Sequence, residues 1–103
     1  MKTFFIRYQF ANGSEQDWHK EIAAFIAAID ADPELRGKVS YRCMKIRGEA
    51  NYFHMASVAD DQAIKTLQQK EFFKAYTERT RQVAAGEVTV SPLEVIAETA
   101  TRP

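Results

Sequence analysis

The segment from residue 3 to residue 10 places the strongest constraint on the fold of this chain. Its side chains alternate in character, which is the pattern of an extended strand with two different faces. One face is apolar or aromatic throughout, whereas the other combines Phe5 with Arg7 and Gln9. Such a strand predicts a sheet that helices cover on one side only. The apolar face consists of Phe4, Ile6, Tyr8 and Phe10.

The rest of the chain predicts further strands and helices, separated by turn residues. Asn12-Gly13 ends the first strand, and Ser14 is of the residue type that caps helices, with Asp17 three positions later. Apolar side chains then recur at helical spacing from Trp18 to Ile29. The predicted elements are strands at 3–10, 39–47, 52–58 and 87–98, a helix that starts after Ser14, and a helical region from Asp60 to Gly86 with a bend around 69–71.

This order, β-α-β-β-α-β, is that of the ferredoxin-like or split βαβ fold of the α+β class, with a four-stranded antiparallel sheet. The helices of such a fold cover one face of the sheet. The other face, with Phe5 and Arg7, is too apolar for plain solvent and too polar for a closed core. We therefore expect a second copy of the chain to pack against it, sheet to sheet, as a homodimer. The predicted domain covers residues 1–98, and residues 99–103 are predicted to form a flexible C-terminal tail.

Composition excludes several classes of partner. Fourteen basic and fourteen acidic side chains give a formal charge of zero, whereas a nucleic-acid-binding protein needs a basic surface. No apolar run approaches the ~20 residues that span a membrane. The single cysteine, Cys43, cannot form an internal disulfide, which suits a reducing compartment. These features predict a soluble, cytoplasmic protein that binds neither nucleic acid nor membranes.

Three segments, residues 51–64, 67–73 and 88–96, resemble the antibiotic biosynthesis monooxygenase family. They follow its layout of a strand, a short helix, a phenylalanine after a helix bend, a longer helix and a closing strand. The resemblance implies a dimeric α+β barrel with a pocket between each sheet and its helices or the partner. Some members oxidise aromatic polyketides or quinols with molecular oxygen and no cofactor, and relatives degrade haem. The implied ligand is therefore a small aromatic molecule, and no cofactor is predicted.

The chain departs from this family at positions where members often carry polar site residues. Members often have a glutamate and a tryptophan on the third strand and a histidine in the following helix. Here Ala56, Val58 and Leu67-Gln68 stand at the corresponding places, and the only tryptophan, Trp18, belongs to the first helix. No catalytic residue carries over from those positions, so an oxygenase activity rests on analogy of fold.

Two residues in the middle of central strands are the candidate catalytic groups. His54 belongs to the third strand, where a neutral imidazole is suited to act as a base toward a phenolic substrate. Arg7 belongs to the first strand, where a guanidinium can hold a carboxylate or an oxyanion with paired donors. The structural alternatives are a packed or surface histidine, and an ion pair of Arg7, for example with Glu94.

Three aromatic residues are the candidate ligand contacts. Phe5 shares the mixed face of the first strand, Tyr41 belongs to the second strand, and Tyr52 shares the face of His54 on the third. For Tyr41, packing is the alternative. The two histidines of the chain have no metal-ligand spacing, so no metal site is predicted.

Two hypotheses about function follow from these observations. The first is a cofactor-independent enzyme, an oxygenase or isomerase of a small aromatic compound, which uses the pocket of the dimeric barrel. The second is a non-catalytic dimer that binds a small metabolite or serves as a subunit of a larger assembly. A pocket filled by the chain's own side chains would favour the second hypothesis.

Overall fold

The computed structural model describes residues 1–100. The predicted tail at 99–103 therefore lies largely outside the described residues, and the extent of the domain stays a prediction. Within these residues the chain forms four strands and three helices. They are β1 (Lys2–Gln9), α1 (Glu15–Ala31), β2 (Val39–Lys45), β3 (Asn51–Val58), α2 (Asp61–Gln69), α3 (Glu71–Val83) and β4 (Thr89–Leu93).

The strands form one antiparallel sheet in the order β2-β3-β1-β4. This confirms the predicted ferredoxin-like α+β fold. The two central strands are β1 and β3, and in their register Ile6 lies opposite His54. On its other side Ile6 lies opposite Val90 of β4. Position 54 is therefore placed in the middle of the sheet, flanked by β1 on one side and by β2 on the other.

Helices α1 and α2 begin at side-chain caps, of which the sequence predicts the one at Ser14, whereas α3 begins without one. The Ser14 hydroxyl accepts a hydrogen bond from the Asp17 amide at 3.3 Å, and Asp60 does the same for the Ala63 amide at 2.8 Å. The predicted bend proves to be a break between two helices at Lys70. Its extended backbone ends α2 and starts α3, so that α2 and α3 can pack at different angles across the sheet.

The last strand is shorter than predicted: it covers Thr89–Leu93 instead of residues 87–98. It is an edge strand that pairs only with β1, and its last partner is Thr3, opposite Leu93. Because β1 begins at Lys2, this strand has only one residue left beyond the last pair with which to continue the ladder. Pro92 fits an edge position, since it has no N–H to donate.

The two faces of the sheet differ as the alternation in residues 3–10 predicts. The three helices cover the face that carries Tyr8, Tyr52 and His54, all of which are buried. The open face carries Phe5 and Phe53, whose rings stack at 5.5 Å, together with other half-exposed and exposed side chains. Within residues 1–100, no helix has the length and apolar character needed to cross a membrane.

Candidate functional site

A cavity of about 280 Å³ lies between the sheet and helices α2 and α3. Its walls are mostly apolar, and the chain's own side chains do not fill it. The floor comes from the covered face of the sheet, and the roof comes from the two helices together with Phe25 of α1. The apolar lining includes Phe4, Ile6, Phe25, Ala56, Val58, Ile64, Leu67, Phe73, Val88 and Val90.

The inner end of this cavity is polar, and His54 is at its centre. Its side chain is fully buried, with 0% of its surface exposed. The Nε2 atom lies 2.8 Å from the Tyr8 hydroxyl. The Nδ1 atom lies 2.6 Å from the hydroxyl of Tyr41 and 3.2 Å from that of Tyr76. Both ring nitrogens are thus engaged by phenols, and two of those phenols, Tyr41 and Tyr76, also line the cavity.

A buried tryptophan extends this network away from the cavity. The Trp18 Nε1–H donates to the Tyr8 oxygen at 2.8 Å. On the cavity side, the hydroxyl oxygens of Tyr41 and Tyr76 are 3.3 Å apart. We call these five residues, Trp18, Tyr8, His54, Tyr41 and Tyr76, the phenol network. No polar side-chain atom buried within residues 1–100 lacks a hydrogen-bond partner, as is usual for polar groups that a core encloses.

Ring contacts fix the positions of the phenols. The rings of Phe25 and Tyr76 stack with centroids 3.8 Å apart and planes 2° from parallel. The ring of Trp18 also stacks on that of Tyr76, with centroids 5.6 Å apart. Phe25 also meets Tyr41 edge to face at 5.1 Å. Such pairs hold aromatic side chains in defined orientations, so the hydroxyl oxygens at the cavity wall are positioned before any ligand enters.

Burial keeps the phenol network uncharged at neutral pH. It lowers the pKa of His54 to about 4, because the imidazolium loses its hydration in the core. Burial likewise raises the pKa of Tyr8, Tyr41 and Tyr76 far above the ordinary value of a phenol. His54 is therefore a neutral imidazole among neutral phenols. Its low pKa makes it a weak base.

The sequence-predicted site residues lie on opposite faces of the sheet. His54 and Tyr41 meet at the polar end of the cavity. Arg7 and Phe5 belong to the open face, as the alternation of β1 requires, so the structure does not bring Arg7 near His54. Among residues 1–100, no ion pair joins Arg7 to Glu94. The role of Arg7 stays a prediction that concerns the open face.

Tyr52 lies on the covered face but outside the cavity lining. Its ring stacks on Tyr8 at 5.4 Å, and its hydroxyl lies 2.6 Å from His19 Nε2 near the start of α1. Burial and the carboxylate of Glu15 raise the pKa of Tyr52 to about 12. Tyr52 thus packs against Tyr8 of the network, and its predicted ligand contact remains a prediction.

Cys43 lies next to the network without an activating partner. Burial raises the pKa of its thiol to about 12, the opposite of what a nucleophilic thiolate needs. In the part of the chain that the structure describes, no three His, Cys, Asp or Glu side chains lie close enough to hold a metal ion.

Tyr8, Trp18 and Tyr76 also belong to the site, although the sequence pattern indicates only an apolar strand face for Tyr8 and an apolar helix stripe for Trp18. Their positions are inward-facing, as the periodicity predicts. The signal that could have identified them is the residue type: a buried tyrosine or tryptophan carries a polar atom that needs a partner. Three such residues on different elements predict a shared buried network, whereas phenylalanine would predict packing alone.

The outer end of the cavity is open to solvent, and polar side chains line it. Gln68 of α2 and Arg81 of α3 line it, and both are exposed. Arg81 also pairs with Glu78 at 3.4 Å on the helix surface. Exposed Val90 of β4 completes the rim. A ligand would therefore enter between α2, α3 and the edge strand, with its inner end against the phenols.

No family model matches this sequence, and no curated protein is significantly similar to it. Solved structures are similar in fold. SnoaB, a cofactor-independent oxygenase from Streptomyces nogalater, has a TM-score of 0.75 at 16% identity, over 97% of each chain. An antibiotic biosynthesis monooxygenase has a TM-score of 0.77 at 9% identity, over 94% of this chain and 100% of that one. Rv0793 from Mycobacterium tuberculosis has a TM-score of 0.76 at 12% identity, over 96% and 98%.

These likenesses confirm, at the level of the fold, the resemblance found in the sequence. The chain has the α+β fold of antibiotic biosynthesis monooxygenase-type proteins. At identities below one residue in five, the likeness establishes the fold alone, because one fold supports many activities. The chemistry must be argued from the cavity and the phenol network.

Proposed function

We propose that this chain binds a small, flat aromatic molecule in the cavity and oxidises it with molecular oxygen without a cofactor. The observation that carries the proposal is an open apolar cavity whose inner end is a network of neutral hydroxyls around His54. Apolar walls with a few convergent polar groups are typical of small-molecule sites. The proposal is supported by the shared fold with SnoaB, a cofactor-independent oxygenase.

In a reaction without a cofactor, the substrate must itself supply the electrons. When a ring methylene becomes a carbonyl, one oxygen atom of O2 enters the product and the other leaves as water. The substrate provides all four electrons. The protein's part is then to hold the reacting molecule away from bulk water and to stabilise charge on its oxygen. The buried hydroxyls of Tyr41 and Tyr76 are placed for that task.

A binding protein without catalysis is the second candidate, and one observation favours it. His54 is fully buried and has a pKa of about 4, which makes it a weak base for the phenolic substrate predicted from the sequence. In this second candidate the cavity holds an aromatic metabolite without changing it. Binding and oxygen uptake, measured on the same ligand, distinguish the two.

A bulky side chain in the cavity should abolish both binding and oxygen uptake. Thr77 lines the cavity on α3, whereas Lys74 of the same helix is exposed and lies outside the lining. We expect Thr77→Trp to lower the affinity for aromatic ketones and hydroquinones at least about tenfold, by filling the site. Lys74→Trp, which adds the same indole outside the cavity, should bind as the unmodified chain does.

The measurement is titration calorimetry with a panel of bicyclic and tricyclic ketones and hydroquinones, followed by oxygen-electrode traces with every molecule that binds. Oxygen uptake that Thr77→Trp removes supports the oxygenase. Binding with no oxygen uptake supports the second candidate. Absence of binding by the whole panel, or equal binding by the Thr77→Trp protein, contradicts both.

The homodimer is proposed for the open face of the sheet. Phe5 and Phe53 stack there, and Met44 and Met55 each leave 37% of their surface exposed. A contiguous apolar patch of this kind marks a protein interface more often than a solvent face. Burial against a second copy would also place Arg7 in the interface. The C₂ arrangement, with the same patch on both chains, is the commonest for homo-oligomers.

A charge at the centre of this face should separate the two chains. We expect the unmodified protein to have the mass of a dimer by light scattering, and Met55→Lys to have the mass of a monomer, because the interface would bury an unpaired ammonium group. Gln62→Lys adds the same charge to an exposed position of α2 and should remain dimeric. A monomeric unmodified protein at every concentration would remove the basis for the dimer.

A further inference from the structure

The protons of the phenol network can be counted, and the count fixes the direction of its hydrogen bonds. The Trp18 indole N–H is a donor only, so the Tyr8 oxygen accepts at this contact. Within residues 1–100, the other partner of the Tyr8 hydroxyl is His54 Nε2, at 2.8 Å. Tyr8 is buried and does not line the cavity. The Tyr8 proton therefore has Nε2 as its one acceptor.

This contact determines the tautomer of His54. A neutral imidazole carries one proton, and Nε2 must be free of it in order to accept from Tyr8. The proton is then on Nδ1, which faces the oxygens of Tyr41 at 2.6 Å and Tyr76 at 3.2 Å. The opposite tautomer would leave the Tyr8 hydroxyl without an acceptor in the core, and a buried unsatisfied donor is costly.

The same count leaves one donor at the cavity wall. The oxygens of Tyr41 and Tyr76 are 3.3 Å apart, so one of the two hydroxyls donates to the other. Among residues 1–100, the second hydroxyl is left without a protein acceptor, because Nδ1 carries a proton and has no free lone pair. Both residues line the cavity, so a ligand in the cavity is the acceptor available to the remaining O–H.

We propose that the polar end of the cavity is a hydrogen-bond donor site, where the Tyr41–Tyr76 pair binds the carbonyl oxygen of a flat aromatic ligand. The inference rests on the proposed function in one respect, which is that the cavity is the ligand site. His54 is then a positioning residue that orients the phenols. The opposite tautomer would offer the cavity only lone pairs and would favour a ligand that presents an N–H or O–H group.

A donor at this place also suits the proposed oxidation. The hydrogen bond from a phenol strengthens when its acceptor oxygen gains negative charge. The ligand oxygen in contact with Tyr41 and Tyr76 would therefore be the atom on which charge accumulates, as in the enolate form of an aromatic ketone. The phenols remain neutral throughout, since burial disfavours their ionised forms.

The first test measures the tautomer without any ligand. In ¹⁵N-labelled protein at pH 7.5, long-range imidazole spectra distinguish a ring nitrogen that carries a proton from one that does not. We expect Nδ1 of His54 to be protonated and Nε2 to be unprotonated, with the signals assigned by their loss in the His54→Gln protein. A protonated Nε2 overturns the proposal.

The second test uses three tricyclic molecules of nearly the same shape. 9-Fluorenone presents a carbonyl oxygen, carbazole presents an N–H at the same position, and fluorene presents neither. We expect 9-fluorenone to bind about tenfold more tightly than the other two, the effect of one buried hydrogen bond. Carbazole that binds as tightly as 9-fluorenone, or more tightly, overturns the proposal.

A double variant separates the hydroxyls from the shape of the cavity. Tyr41→Phe/Tyr76→Phe removes both hydroxyls and keeps both rings, so fluorene should bind unchanged while 9-fluorenone loses its advantage. An advantage that survives in the double variant overturns the donor assignment. If none of the three molecules binds the unmodified protein, the ligand assignment fails together with the proposed function. The tautomer measurement then still decides the direction of the network by itself.

Discussion

Replacing His54 by alanine is expected to lower the free energy of unfolding by about 3–5 kcal/mol. The side chain is fully buried, and three phenol oxygens lie within hydrogen-bond distance of its two nitrogens. Alanine would leave a void and would also remove the one acceptor that residues 1–100 offer to the Tyr8 proton. The void and the lost acceptor both lower stability. A phenol that loses its partner inside a buried network costs the full desolvation penalty of its hydroxyl.

Two control variants show whether the loss comes from the network. His54→Gln keeps one acceptor and one donor, so its free energy of unfolding should fall by only about half as much as that of His54→Ala. His19→Ala removes a half-exposed imidazole that contacts one hydroxyl, that of Tyr52, and should cost about 1 kcal/mol. The measurement is urea unfolding at pH 7.5 at one fixed protein concentration, since dimerisation would add to stability. A His54→Ala protein as stable as His19→Ala would contradict the buried network.

The fold follows from the sequence because its signals are local and agree with one another. The alternation of residues 3–10 sets two faces, Ser14 and Asp60 have the residue type of helix caps, and helical spacing places Trp18 to Ile29 on one stripe. Each of these patterns needs only neighbouring residues. The end of β4 could not be predicted in this way, because it depends on where β1, a distant segment, begins.

The site depends on contacts between residues far apart in the chain, and the sequence predicts them only in part. His54 and Tyr41 could be identified as polar or amphipathic side chains on strands. That they meet depends on the register between β2 and β3, which a slip of one residue would reverse. Arg7 and His54 are both candidates from the sequence because each belongs to the middle of a central strand. Alternation alone separates odd-numbered Arg7 from even-numbered Tyr8, which faces His54.

The free energy of unfolding should fall between pH 6.5 and pH 4 because His54 has a lower pKa in the folded chain than in the unfolded one. Its pKa is about 4 in the folded chain and about 6.5 in the unfolded one. As the pH falls, the unfolded state therefore takes up the proton first, and the stabilisation present above pH 6.5 is lost progressively until about pH 4. The expected loss is about 2 kcal/mol at pH 5 and roughly 3 kcal/mol at pH 4.

The groups in contact with His54 do not titrate in this range. Burial raises the pKa of Tyr8, Tyr41 and Tyr76, so each remains neutral from pH 4 to pH 7.5. Carboxylates with lowered pKa, such as Asp32 beside Lys70, lose their stabilising charge only at still lower pH. These groups are shared by a His54→Gln variant, so the difference between the two proteins isolates the imidazole.

Urea unfolding of both proteins at pH 7.5, 6, 5 and 4.5 provides the measurement. The unmodified protein should lose stability steeply below pH 6.5, whereas His54→Gln should change little until the carboxylates titrate. The two curves should approach each other as the pH falls, because the neutral imidazole is the source of the difference between them. Parallel curves would mean that His54 is protonated as easily in the folded chain as in the unfolded one. That result would be incompatible with an imidazole enclosed by three phenols, because a protonated Nε2 could not accept from Tyr8.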